Sequence, residues 1–315
     1  MILLALFFIQ TGREKLMEWR LIKDSYHTGF VNMAIDEAIM IAHREGLVPP
    51  TIRFYQWSPP AVSLGYFQNL EKEIDVDVCK NMGIDIVRRP TGGKAVLHDK
   101  ELTYSFVIRE SHPLVNDSIL ETYKKFSGGM IRGLSYLGIE AELVPLREKL
   151  KNETLLNKEE KSEIRYSDIK SICFSVPSQY EVQVGGKKIV GSAQVRKREI
   201  VLQHGSLLIE LEKDKLFSVF NFPSAQIRER LKTRFNATSL EDILKRKINF
   251  SELSEILPRG FEEEFGVRLV EGKLTEQEEK ISKELLENKY STYEWNYERK
   301  NNQLDSQKIK EQVDD

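Results

Sequence analysis

The sequence predicts one α+β domain with a helical C-terminal extension, and three patterns favour this fold class. Apolar and polar residues alternate along residues 102–108, as in a β-strand with one buried face. Residues 31–45 carry an apolar stripe at helical spacing, and the pattern becomes helical from Asp214 onward. The length of 315 residues alone suggests about two domains, but neither an internal repeat nor a long linker divides the chain.

The elements follow in order from a first strand that begins at Met17. Gly46 is a typical stop for the helix at 31–45. Residues 147–165 are densely charged and are predicted to form an exposed connection. The other predicted elements are strands at 52–56, 61–64, 84–88 and 200–211, a helix at 120–137, a β-hairpin with strands at 180–184 and 188–195, and an amphipathic helix at 274–290.

Both ends of the chain differ from its central part. The apolar run at residues 1–10 is shorter than the roughly 20 residues that span a bilayer, and it lacks the basic start of a signal peptide. We interpret residues 1–16 as a leader that results from an upstream start, so that the working protein begins near Met17. The alternative is a short membrane-associating or secretory segment. The predicted domain then covers residues 17–297, and residues 298–315 form a polar, disordered tail.

Composition excludes several classes of protein. A formal net charge of −2 argues against a generic nucleic-acid binder, whose affinity depends on excess positive charge. Two cysteines, Cys79 and Cys173, cannot form a disulfide framework or a zinc site built from cysteines alone. Sparse cysteines fit a cytoplasmic protein in a reducing compartment, where each thiol is either packing or reactive.

The densest chemical pattern is the glycine loop, which we define as residues 88–99. Its Gly92-Gly93 pair lets the backbone approach a ligand closely, and two arginines precede it. The spacing matches neither a phosphate-binding Walker loop nor a dinucleotide-binding fingerprint. An ordinary turn with surface arginines is the alternative. His98, which follows, is either a base or a structural residue.

Cys173 and Lys188 form a candidate catalytic pair. A free thiol has a pKa near 8.5, so it needs a nearby cation to act as a nucleophile at neutral pH. Lys188 begins the second strand of the hairpin and could reach the Cys173 loop if the hairpin folds back. Burial of Cys173 and solvation of Lys188 are the alternatives, whereas Cys79 is interpreted as packing. Polar residues 203–206 interrupt an apolar strand and need partners if they are buried.

These motifs, in this order, resemble the biotin/lipoate protein ligase superfamily, and within it most closely the LipM-type octanoyltransferases. The matching segments lie between about residues 17 and 210, with a weaker helical match to about residue 297. They are residues 32–37, the glycine loop with residues 101–105, Cys173-Phe174 with Pro177-Ser178, residues 186–194 and residues 202–206.

The resemblance implies a mixed β-sheet flanked by helices and a two-step acyl transfer without metal, ATP or redox cofactor. Cys173 would take octanoyl from octanoyl-acyl carrier protein as a thioester, helped by Lys188. A lysine of a lipoyl-domain protein, such as the glycine cleavage H protein, would then accept it as an amide. The candidate substrate-binding residues are Arg89, Thr91, Gly92, Gly93, His98, Gly191, Ser192, Ala193, His204 and Gly205.

Three alternatives remain open. In an ATP-dependent lipoate or biotin ligase, Lys188 would meet an acyl-adenylate and Cys173 would be incidental. Lys94 stands where many of those ligases have a third glycine, which weakens that hypothesis. An amidotransferase would move octanoyl between lipoyl domains, and a non-catalytic member would only bind lipoyl groups. Neither nucleic acid nor a membrane is expected as a partner.

Overall fold

A computed structural model of the chain describes residues 16–145 and 180–300. Residues 1–15 of the predicted leader, the charged segment 147–165, Cys173 and most of the predicted tail lie outside the described residues. In the part that is described, no helix is long and apolar enough to cross a membrane.

The described strands form two mixed sheets. They are β1 (Met17–His27), β2 (Thr51–Trp57), β3 (Ala61–Leu64), β4 (Asp85–Arg88), β5 (Val96–His98), β6 (Glu101–Arg109), β7 (Glu142–Pro145), β8 (Tyr180–Val184), β9 (Lys187–Lys197), β10 (Ile200–Leu208) and β11 (Val267–Glu271). The large sheet has the order β11-β1-β2-β6-β10-β9-β8-β7, and the small sheet has the order β4-β3-β5. β1 runs parallel to β11 and β2, whereas the remaining neighbours in the large sheet are antiparallel.

Helices cover both faces of the large sheet. They are α1 (Gly29–Arg44), α2 (Leu70–Glu73), α3 (Val76–Asn81), α4 (Ile119–Ser135), α5 (Lys213–Ser218), α6 (Ala225–Thr233), α7 (Leu240–Leu244), α8 (Phe250–Phe265), α9 (Glu276–Leu285), a π-helical turn (Leu286–Tyr290) and α10 (Tyr293–Asn296). The predicted α+β fold with a mixed sheet flanked by helices is therefore confirmed.

The alternation along β6 places each half of its side chains against a different helical layer. Leu102, Tyr104 and Phe106 pack in the main core with residues of α4 and α8. Val107, on the opposite face, packs with residues of α1. Because both faces of β6 are buried, the polar residues on the α1 side lie inside the protein and need internal partners.

α4 and α8 pack so closely that glycine is required between them. A Cβ added to Gly260 would lie 2.1 Å from the backbone nitrogen of Gly133, and one added to Gly129 would lie 2.2 Å from Cδ1 of Phe261. Such distances are far inside van der Waals contact, so larger residues would push the helices apart.

Three strands, β5, β7 and β11, were not predicted from the sequence. β5 lies inside the expected loop, where three residues suffice to pair with β3. β11 interrupts the predicted helical extension: α8 ends at Gly266, whose φ of +65° is left-handed, and the chain then joins the edge of the large sheet beside β1. The C-terminal helices are not an appendage either, since Leu285 and Trp295 belong to the buried cluster that includes Met33 and Ala34 of α1.

Candidate active site

The glycine loop lies against the end of β3. Gly93 has a φ of +92°, a conformation that favours glycine, and its carbonyl oxygen approaches Gly65. A Cβ added to Gly65 would stand 2.1 Å from that oxygen. The position of the loop therefore depends on glycines in both segments.

The buried guanidinium of Arg89 organises this loop from within. Its Nε donates to Oγ1 of Thr91 at 3.1 Å, and its Nη1 donates to the carbonyl oxygen and to Oγ of Ser63 at 2.8 and 3.1 Å. Its Nη2 donates to the carbonyl oxygens of Gly92 and Lys94 at 2.8 and 2.7 Å. All five N–H groups thus have acceptors, and Arg89 is part of the scaffold rather than an exposed surface arginine.

Arg88 is fully buried and bonds mainly to backbone carbonyls. Its Nη1 donates to the carbonyl oxygens of Gly65, Tyr66 and Gln68 at 2.8–3.1 Å, and its Nη2 donates to that of Asn296 at 2.9 Å. Burial lowers the pKa of Arg88 to about 10. Neither arginine is the surface arginine that the ordinary-turn alternative requires.

His98 is held on both ring nitrogens. Nδ1 lies 2.6 Å from Oε1 of Glu101, and Nε2 lies 2.8 Å from Oγ of Ser63. The ring stacks on Trp57, with centroids 4.0 Å apart and planes inclined by 10°. Trp57 Nε1 donates to Oγ1 of Thr103 at 2.7 Å, and that hydroxyl donates to Glu101 at 2.5 Å. Since both ring nitrogens are hydrogen-bonded, neither is free to act as a base, and His98 is a fixed part of the pocket wall.

His204 joins the glycine loop to α1. Its Nε2 lies 2.6 Å from Oγ1 of Thr91, and its Nδ1 lies 3.6 Å from Oδ2 of Asp36. Burial lowers the pKa of His204 below 6.5 and outweighs the opposing effect of Asp36. The imidazole is therefore neutral at pH 7.

Asp36 is a buried carboxylate with three further partners. Its Oδ1 accepts from Nη1 of Arg53 at 3.0 Å and from the hydroxyl of Ser105 at 2.9 Å, and its Oδ2 accepts from the hydroxyl of Tyr55 at 2.9 Å. Burial alone would raise the pKa of Asp36, but the contact with His204 and the charge of Arg53 hold it below its ordinary 3.8. The carboxylate is charged and fixed in place.

β9 and β10 form the opposite wall through small residues. A Cβ added to Gly205 would lie 2.7 Å from Oγ of Ser192 and 2.8 Å from the carbonyl oxygen of Gly191, so glycine is needed where the strands meet. Tyr104 and Ser192 share a hydrogen bond of 2.6 Å between their hydroxyls. The polar residues that interrupt β10 also have internal partners, since Gln203 accepts from Gln194 and Ser206 donates to Glu101.

These walls line a partly open pocket whose empty space, counted with the solvent at its mouth, is about 430 Å³. Eight of the predicted substrate-binding residues line it: Arg89, Gly93, His98, Gly191, Ser192, Ala193, His204 and Gly205. Thr91 and Gly92 stand just behind, bonded to Arg89. The structure therefore brings the predicted set together, and substrate binding by it stays a prediction.

Lys188 is not among the residues that line the pocket. Its Nζ is 3.0 Å from Oε1 of Glu181, and only 1% and 2% of the two side chains are exposed. The alternative of a solvated lysine is therefore wrong. Its predicted partner Cys173 is not among the described residues. Cys79 is buried in α3, and burial raises the pKa of its thiol to about 12, in agreement with a packing role.

Several residues that line the pocket were not predicted from the sequence. Trp57, Ser63 and Thr103 sit in strands whose sequences look ordinary, and only the folded sheets bring them to the glycine loop. The charged and polar residues of buried strands offered one signal, since Arg53 and Glu101 demand internal partners. Within the described ranges, no cluster of three or more His, Cys, Asp or Glu residues could hold a metal ion.

Comparison with known proteins gives consistent matches. The family model described as lipoyl protein ligase A/B catalytic domain matches residues 28–262. The chain is 43% identical over 284 residues to the octanoyltransferase LipM of Geobacillus kaustophilus, covering 89% of this chain and 98% of that protein.

Two solved structures are similar over nearly their whole length. One is the bi-partite lipoate protein ligase of Thermoplasma acidophilum, described with its E2 lipoyl domain. It has a TM-score of 0.73 and 27% identity, over 92% of this chain and 100% of that chain. The other is lipoate-protein ligase A bound with ATP, with a TM-score of 0.69 and 29% identity, over 89% and 99% of the two chains.

Proposed function

The chain belongs to the lipoyl protein ligase A/B catalytic-domain family, and on this premise we propose that it carries octanoyl from acyl carrier protein to lipoyl-domain proteins through Cys173. The family and the octanoyltransferase class that the sequence predicted are confirmed by the relatives. The donor, the nucleophile and the acceptor are the proposed parts.

In the first step, the Cys173 thiolate attacks the carbonyl carbon of the octanoyl thioester. A new carbon–sulfur bond forms, and the bond to the thiol of the carrier protein breaks. That thiol leaves as a thiolate and takes up a proton. A cation close to Cys173 would raise the thiolate fraction at neutral pH. Lys188 is the proposed cation, and its buried ion pair with Glu181 supports a fixed position for the ammonium group.

In the second step, a neutral lysine amine of the lipoyl domain attacks the thioester on Cys173. An amide bond forms, the proton of the amine is released, and Cys173 leaves as a thiolate ready for another cycle. The glycine cleavage H protein is one acceptor of the required chemistry. No cofactor takes part in either step.

The single observation that carries this proposal is the composition of the pocket. Its lining mixes apolar side chains such as Met33 and Val96 with backbone at Gly93 and Gly191. An acyl chain needs the first kind of surface, and a carbonyl oxygen needs nearby donors of the second kind.

Mass spectrometry of the intact protein tests the nucleophile. After mixing with octanoyl-acyl carrier protein without ATP, the chain should gain the mass of one octanoyl group. Cys173→Ala should abolish both the adduct and the transfer. Cys79→Ala is the matched control, because it removes the buried thiol and should leave acylation intact. Transfer by the Cys173→Ala variant would refute the cysteine mechanism.

An ATP-dependent ligase is the second candidate, favoured by the similarity to a ligase that binds ATP. Transfer that requires ATP and Mg²⁺ with free octanoate would identify it. An amidotransferase would instead use an octanoylated lipoyl domain as donor. A cytoplasmic location remains a prediction from the sparse cysteines, to be tested by fractionation of native cells.

A further inference from the structure

Two chains of hydrogen-bonding groups end on one guanidinium. In the first, Glu101 contacts Nδ1 of His98 at 2.6 Å, Nε2 of His98 contacts Oγ of Ser63 at 2.8 Å, and Arg89 donates to that hydroxyl at 3.1 Å. Less than a tenth of each of the four residues is exposed. The chain therefore runs carboxylate, histidine, hydroxyl, guanidinium.

The second chain has the same order and the same end point. Asp36 lies 3.6 Å from Nδ1 of His204, Nε2 of His204 contacts Oγ1 of Thr91 at 2.6 Å, and Nε of Arg89 donates to that hydroxyl at 3.1 Å. Both chains use Nδ1 for the carboxylate and Nε2 for the hydroxyl. Only the link between Asp36 and His204 is longer than an ordinary hydrogen bond.

The direction of these bonds follows from the donors at each end. A guanidinium has no acceptor, so Ser63 and Thr91 must accept from Arg89. Each hydroxyl has one proton, which it can give to the histidine only if Nε2 carries none. At the other end, the carboxylate of Glu101 accepts from Nδ1 of His98, and the negative charge of Asp36, 3.6 Å from Nδ1 of His204, favours a proton on that nitrogen. With a proton on Nε2, the buried hydroxyl proton would face another donor and lose its acceptor, which is unfavourable.

We propose that Arg89, through Ser63 and Thr91, sets both His98 and His204 as neutral rings protonated on Nδ1, and that Glu101 and Asp36 are the positioning residues that complete this arrangement. The two imidazoles then act as fixed walls of the pocket and not as acid–base groups. Arg89 thereby influences the pocket by fixing which group donates and which accepts in the hydrogen bonds of these two walls.

If the two imidazoles take no part in proton transfer, other groups of the site must transfer the protons, and Arg89 needs no direct contact with the substrate. This assignment of roles during catalysis is the one part that rests on the proposed octanoyl transfer. The protonation pattern itself is a property of the folded chain, whatever reaction it performs.

Nitrogen-15 NMR of the histidine rings tests the pattern directly. Long-range proton–nitrogen spectra of the labelled full chain near neutral pH would distinguish the two tautomers and the charged ring, with signals assigned from His98→Gln and His204→Gln. We expect Nδ1-protonated rings at both positions. An Nε2-protonated or charged ring at either position in the parent protein would overturn the proposal.

Two conservative substitutions test whether Ser63 and Thr91 transmit the effect of Arg89 to the histidines. They leave Arg89 in place, because its loss would unfold the loop. In Ser63→Ala, Nε2 of His98 loses its hydrogen-bond donor, so its nitrogen-15 signal should shift while the signals of His204 stay unchanged. Thr91→Val should do the reverse, so each variant is the control for the other. If the ring nitrogen signals of His98 stay unchanged in Ser63→Ala while the fold is intact, the proposed role of Ser63 is refuted. Since no acyl transfer is measured, failure of the proposed function would not affect the result.

Discussion

Trp57 stacks on His98, and Glu101 fixes the two rings relative to each other through hydrogen bonds. Glu101 accepts from Nδ1 of His98 and from the hydroxyl of Thr103, which in turn accepts from Nε1 of Trp57. The hydroxyl of Ser206 also donates to Glu101. A single buried carboxylate therefore holds the flat wall of the pocket.

Glu101→Gln should lower the free energy of unfolding by about 1–3 kcal/mol. The amide nitrogen must face one of three groups that now donate to the carboxylate, so that a buried donor loses its partner. The same exchange at Glu210, which pairs with Lys100 near the surface, should change stability by no more than about 0.5 kcal/mol. Urea unfolding of both variants measures the difference, and equal values would contradict the argument.

Gly65→Ala should destabilise the fold by about 1–3 kcal/mol through overpacking. The added Cβ would collide with the carbonyl oxygen of Gly93, which belongs to the backbone and cannot rotate away. Gly92→Ala is the control for stability, because a Cβ there meets nothing within 4 Å. Thermal unfolding should separate the two variants, and similar midpoints would show that the glycine loop can move at little cost.

Asp36→Asn should lower the free energy of unfolding at neutral pH by about 3 kcal/mol, because buried Arg53 loses a charged partner. Asp24 remains beside Arg53 and limits the loss. The folded pKa of Asp36 is below 3.8, so the unfolded chain binds more protons near that pH. The stabilisation is therefore complete above this pH and disappears as the pH falls through the folded pKa.

Unfolding measured at several pH values checks the sign. The difference in stability between the parent protein and Asp36→Asn should shrink once the pH falls below about 4. Asp214→Asn is the control, since that carboxylate is 88% exposed. A difference that stays constant down to acid unfolding would contradict the lowered pKa of Asp36.

Removal of the Lys188–Glu181 pair should slow alkylation of Cys173 in a Cys79→Ala background. The double exchange Lys188→Met with Glu181→Gln avoids leaving a buried carboxylate alone. If Lys188 lowers the thiol pKa by one unit or more, the rate with iodoacetamide below that pKa should fall roughly tenfold or more. Lys188→Arg keeps the charge and is the control. An unchanged rate in the double variant would separate Lys188 from Cys173 activation.

The sequence predicted the elements whose periodicity is strong. The alternation in β6 and the stripe of α1 were correct to within two residues. β11 was missed because five residues between two helices carry too little pattern, and its pairing with β1 is decided by tertiary contacts.

Prediction of the candidate site succeeded where residue types are unusual for their element. Glycines and His204 within apolar segments attracted attention, and the structure brings them to one pocket. Trp57, Ser63 and Thr103 are ordinary in strands and could not be recognised. Their neighbours come from other strands, so their role depends on how the strands pair within each sheet rather than on local sequence.

The pairing of β1 with β11 has a consequence for how the chain is made. Met17 pairs with Val267, so the first strand waits for a partner that is synthesised about 250 residues later. At about 5–20 residues per second, that delay is roughly 12–50 s on the ribosome. During it, one edge of β1 stays open and apolar residues such as Trp19 lack the cover of Phe265. This edge of β1 therefore stays open to pairing with other chains until β11 has been translated.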